Sequence, residues 1–133
     1  MERSSDLVAT TQKFYDSLSA GDAEAATSLV STADGMLMIG TDPNEWLTDH
    51  KTLTDLFAAQ VSAGVNVRGG EIQAFEEGSV GWIADRAAFI LPDGTEVPVR
   101  ITAVFHKEDG QWRMIQSHAS LALSNEEALG VDV

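Results

Sequence analysis

The sequence contains no cysteine, which excludes disulfides and thiolate zinc sites. A reducing cytoplasm fits that composition and is the expected location. Basic residues are scarce: 8 lysines and arginines stand against 21 aspartates and glutamates, for a formal net charge of −13. The few cations are scattered, so no basic patch forms, and a phosphate backbone or an anionic membrane surface would be repelled. No apolar run approaches the ~20 residues of a membrane span. Met1-Glu2-Arg3-Ser4-Ser5-Asp6 lacks the apolar core of a secretion signal. Neither nucleic acid nor membrane is an expected partner.

Motifs are missing as well. His50, His106 and His118 are far apart, and no H-x-x-x-H or H-E-x-x-H occurs, so no metal is expected. There is no G-x-G-x-x-G after a strand, no Walker loop and no G-x-S-x-G elbow. No cofactor is expected.

What is present suffices for one domain over residues 1–133, with 44% hydrophobic and 22% charged residues. Ser79 to Leu121 reads as three long strands joined by Pro92-Asp93-Gly94 and Glu108-Asp109-Gly110, because Asp-Gly between β-rich runs signals a tight primed turn. Upstream, Ser4 or Ser5 caps a helix with the stripe Leu7, Val8, Thr11, Phe14, Tyr15, Leu18, and Gly21 stops it. Asp22 caps a second helix burying Ala23, Ala26, Leu29 and Val30. Met36–Ile39 reads as a strand, Glu45-Trp46-Leu47 as a brief one, and Thr48 or Asp49 caps a third helix running to about Ser62. Val65–Phe75 is a strand with a bulge or bend at Gly69-Gly70. Ser124-Asn125-Glu126-Glu127 has the form of a capping box before a short terminal helix. Helices gather first and antiparallel strands last, which is α+β logic. A curved antiparallel sheet would have its concave face covered by the first and third helices.

This order resembles the nuclear transport factor 2-like superfamily, the cystatin-like α+β cone shared by ketosteroid isomerase, scytalone dehydratase and the SnoaL-like polyketide cyclases. Gly40-Thr41-Asp42-Pro43-Asn44-Glu45-Trp46, Val99-Arg100-Ile101-Thr102-Ala103-Val104, Gly110-Gln111-Trp112-Arg113-Met114-Ile115 and His118-Ala119-Ser120 are similar to the SnoaL-like domain subgroup. The resemblance spans essentially the whole chain. It implies a pocket inside the cone and a homodimer through the outer sheet face.

Strand alternation sorts the meander into faces. Trp82, Ala84, Arg86, Ala88 and Ile90 share one side; so do Arg100, Thr102, Val104 and His106, and again Trp112, Met114, Gln116, His118 and Ser120. These sets either meet inside the cone or face a partner copy. His118 is the candidate acid or base, titrating near neutral pH, or else a neutral, hydrogen-bonded residue closing a polar gap. Arg100 is a candidate oxyanion partner, or half of an ion pair with Asp42, Glu45 or Asp85. Asp42 is a candidate carboxylate base by analogy with ketosteroid isomerase, or plain turn chemistry before Pro43. Trp46, Trp82, Tyr15, Met38 and Ser120 are candidate ligand contacts, with core packing as the alternative for the large side chains. The tyrosine and aspartate pair of the isomerase has no aligned counterpart, and Tyr15 is the only tyrosine, so the resemblance does not carry that reaction over.

Three functions follow as expectations. The first is binding of a small, largely apolar molecule. The second is a cofactor-free isomerase, dehydratase or cyclase using His118. The third is a dimerisation module with no ligand.

Overall fold

The computed structural model describes residues 1–133. Helix α1 (Ser5–Ser19) starts at Ser4, whose hydroxyl accepts from the Leu7 N–H at 3.2 Å. Asp22 caps α2 (Ala23–Ser28) by accepting from Ala25 N–H, and Asp49 caps α3 (His50–Ser62) by accepting from Thr52 N–H. Each cap satisfies an otherwise orphaned backbone donor. Gly21, at φ +79°, turns the chain between α1 and α2 in the left-handed region that glycine tolerates best.

The strands are β1 (Glu2–Arg3), β2 (Leu37–Ile39), β3 (Trp46–Leu47), β4 (Asn66–Arg68), β5 (Gln73–Glu77), β6 (Val80–Ile90), β7 (Glu96–Glu108) and β8 (Gln111–Leu121), followed by a short α4 (Asn125–Leu129). They form one curved, unclosed sheet in the order β1-β5-β6-β7-β8-β2-β3, with β4 paired to the far end of β6. The β6–β7–β8 meander is antiparallel, as its turns require. Asp109 and Gly110 both have positive φ, which is the primed-turn geometry expected of Asp-Gly. At Asp93-Gly94 only Gly94 does, so the longer β6–β7 connection is not the expected primed turn. The fold is α+β, but the sheet is not wholly antiparallel: β2 runs parallel to β8. β1 is a two-residue addition on β5 that no hydrophobic pattern announces. No helix is long and apolar enough to cross a membrane.

Gly69-Gly70 splits the expected Val65–Phe75 strand into β4 and β5. A Cβ at Gly70 would sit 2.1 Å from the Arg86 carbonyl oxygen, and one at Gly69 would meet the Tyr15 ring at 3.0 Å. The two glycines therefore let β6 and α1 approach a backbone that side chains would hold off.

Helix α1 packs on β4, β5 and β6, while α3 packs on α1 and α2. Leu7, Tyr15, Leu53, Val99 and Phe105 are among the most deeply buried side chains between helices and sheet. Phe14 of α1 and Phe57 of α3 meet edge to face at 5.5 Å.

Candidate functional site

Between α1, α3 and the inner sheet face lies a cavity of about 520 Å³. Twenty of its 26 lining residues are hydrophobic, and the other six are Thr11, Gly40, Thr41, Glu45, Gln60 and Ser117. Such a wall, apolar with a few polar groups, is the usual form of a small-molecule site, and the volume lies within the usual range of about 300–1,000 Å³.

Which residues face the cavity depends on a bulge. Val104 pairs with Gln116 and Phe105 with Met114, so Ile115 is an extra residue in β8. An inserted residue reverses the alternation beyond it. Trp112 and Met114 therefore point inward with Phe105, but past Ile115 it is Ser117 and Ala119 that face the cone with Ala103 and Ile101. Trp112 and Met114 do not share a face with Gln116, His118 and Ser120.

The consequence for the expected site is direct. His118 and Arg100 are exposed on the outer face, opposite Thr102 and Ser120 respectively, and neither borders the cavity. Arg100 forms no ion pair with Asp42, Glu45 or Asp85. Ser120 and Trp82 share that outer face, where Trp82 stacks on Phe75 at 6.3 Å. Trp46 is 64% exposed and borders no part of the cavity. Asp42 is exposed, and its Oδ1 accepts from the Asn44 N–H at 2.9 Å, which is ordinary turn chemistry. Of the eight candidates, Tyr15 and Met38 line the cavity.

Tyr15 is held by a buried carboxylate. Its hydroxyl donates to Asp85 Oδ2 at 2.8 Å, and the Gly70 N–H donates to the same group at 3.0 and 3.3 Å. Asp85 is 4% exposed and has no cation beside it. Burial first, and then the Asp85 charge and hydrogen bond, push the Tyr15 phenol far above its ordinary range. Tyr15 is thus a neutral donor whose proton is committed to Asp85.

Glu45, expected from the sequence only as a candidate ion-pair partner of Arg100, is the carboxylate of the site. It lines the cavity on the loop between β2 and β3, and its Oε2 is shut off from solvent without a hydrogen-bond partner. The side chain lies flat against Gly40: a Cβ there would sit 2.7 Å from Oε2 and 2.8 Å from Cβ and Cδ of Glu45. Backbone bonds close the loop, Gly40 N–H to Glu45 O and Glu45 N–H to Asp42 O, both 2.9 Å. A glutamate next to a tryptophan in a turn carries no sequence signal for this arrangement. The only hint is a glycine five residues earlier.

A second cleft, about 500 Å³, is polar and lies where His50 meets the β7–β8 turn. Its groups satisfy one another. Ser31 donates to Glu108 at 2.7 Å, His50 Nε2 is 2.8 Å from the Ser31 carbonyl oxygen, and Arg113 donates to the Ser28 carbonyl and to Gln111. The Ser31 and His106 hydrogen bonds hold the Glu108 carboxyl below its ordinary range.

Solved structures resemble this fold along most of their length. An NTF2-like protein of unknown function from Pseudomonas putida KT2440 superposes with a TM-score of 0.79 at 12% identity, covering 92% of this chain and 89% of its own. A protein of unknown function with a cystatin-like fold from Nostoc punctiforme gives 0.75 at 14% identity, covering 93% and 97%. A provisionally assigned dehydratase of the NTF2-like family from Streptomyces avermitilis gives 0.73 at 18% identity, covering 90% and 95%. At such identities the likeness concerns the fold. No curated protein matches the chain in sequence. The family model of the SnoaL-like domain matches residues 7–124, a span that takes in both helices roofing the cavity and the whole meander, and the chain belongs to the SnoaL-like domain family.

Proposed function

We propose that this domain binds a small, largely apolar molecule in the cone. The observation that carries the reading is the cavity of about 520 Å³ with a hydrophobic wall and a sparse set of polar groups. Transfer of apolar ligand surface out of water supplies the affinity, at roughly 25 cal/mol per Å² before association costs. Titration with the uncharged apolar dye Nile red tests for a hydrophobic site, and Ala119→Phe tests its place. Ala119 lines the cavity from the inner sheet face, so a phenyl group there takes up ligand space. Dye affinity is expected to fall at least tenfold with the far-UV spectrum unchanged. Unaltered dye binding in that variant overturns the reading.

A second reading, cofactor-free proton transfer on an apolar substrate, is favoured by one observation: a carboxylate in the cavity wall, Glu45, that forms no ion pair. In that case the proton acceptor is Glu45, not the outward His118. We also propose a homodimer through the outer sheet face, supported by the Phe75–Trp82 stack presented there.

A further inference from the structure

We infer that the ligand of this cavity is a hydrophobic amine, held by its ammonium group against Glu45. This rests on the reading of the cone as a ligand site and goes beyond it by naming the ligand class. Four observations converge. The lining contains no lysine, arginine or histidine, so nothing in the wall pairs with an anionic ligand or neutralises Glu45. Glu45 is the one carboxylate of the lining, and its Oε2 has no protein donor. Oε2 is closed off against Gly40, so a ligand ammonium meets the carboxylate from its open side, where a charge-assisted hydrogen bond in an apolar wall is strong. Phe14, Phe57 and Phe89 also line the cavity, an apolar and aromatic wall for the hydrocarbon part of the ligand. Finally, the net charge of −13 draws cations toward the molecule and repels anions.

The position of Glu45 is built, not incidental. Gly40 leaves open the space that the glutamate side chain occupies, and any larger residue at position 40 would press on Glu45 at 2.7–2.8 Å. The carboxylate is thus seated by a residue that contributes no chemistry of its own.

Three probes of one skeleton test the assignment by calorimetry at neutral pH: 4-phenylbutylamine, 4-phenylbutanol and 4-phenylbutyrate. The amine is expected to bind about tenfold tighter than the alcohol, and the carboxylate weakest. In Glu45→Gln the amine loses its advantage while the alcohol keeps its affinity. Gly40→Ala is expected to do the same, because the added methyl displaces the Glu45 side chain. That variant keeps the net charge at −13, so its effect separates the local carboxylate from the field of the whole molecule. An amine preference that survives both substitutions overturns the inference. Equal binding of all three probes overturns it as well, and leaves the cavity standing as a ligand site. Binding of none overturns both.

Discussion

Two carboxylates belong to the cone, and they differ in how far the protein satisfies them. Asp85, on β6 under α1, accepts from the Tyr15 hydroxyl and the Gly70 N–H. Glu45, on the β2–β3 loop, keeps an occluded oxygen with no donor. A fold can bury charge at either place only at a desolvation cost. At Asp85 that cost is offset internally, by a helix residue and by a backbone donor that two glycines bring close. At Glu45 it is left open. Asp85 is thereby a structural carboxylate, whereas Glu45 is the one left to the ligand proposed for the cone. The polar cleft beside His50 makes the same point, since its groups are consumed by one another.

The contrast is most sharply broken or upheld by stability. Asp85→Ala leaves the Tyr15 hydroxyl and the Gly70 N–H buried without an acceptor and is expected to cost about 2–4 kcal/mol. Glu45→Gln removes a charge that nothing pairs with, and stability should stay within about 0.5 kcal/mol of the parent or rise. Urea unfolding of the two variants checks this. Equal losses would mean that Glu45 is also a structural carboxylate.

Next in size is Tyr15→Phe, expected to cost about 2 kcal/mol because Asp85 keeps only the Gly70 donor. It carries a pH signature. The phenol of the folded chain holds its proton above the ordinary range, whereas the unfolded chain releases it near pH ~10. Above that pH the unfolded state binds fewer protons than the native state, so stability falls as pH rises, by about 1.4 kcal/mol per pH unit. The stabilisation is fully present below pH ~10, and Tyr15→Phe flattens the alkaline fall. Because Tyr15 is the only tyrosine, tyrosinate absorbance reads it alone: it should appear together with unfolding and not before.

Local chemistry made most of the elements readable. Ser4, Asp22 and Asp49 cap where short polar acceptors precede apolar stripes; Asp109-Gly110 turns where positive φ is needed; Gly69-Gly70 breaks a strand. The site was less legible, for three physical reasons. The bulge at Ile115 switches faces in mid-strand, and side-chain alternation has no means of showing an inserted residue. Tyr15 and Asp85 are 70 positions apart, so their bond is a product of packing. Glu45 acquires its character from the space over Gly40, whereas its own neighbours, Asn44 and Trp46, suggest a solvated turn.

The smallest effect belongs to the outer face, and it tests the division that the bulge creates. Arg100→Ala and His118→Ala, combined, remove the two side chains whose chemistry drew attention in the sequence. Both are exposed and border no cavity, and exposed substitutions away from caps and networks usually shift stability by no more than about 0.5 kcal/mol. The double variant should therefore unfold like the parent and bind 4-phenylbutylamine with unchanged affinity. Light scattering is expected to show a weakened dimer, since the substitutions fall on the face proposed to meet a second copy. A tenfold loss of amine binding would mean that the outer groups reach the ligand after all, and the partition at Ile115 would no longer separate a binding face from an assembly face. Unchanged binding with weakened association would assign one sheet two tasks, divided by a single inserted residue.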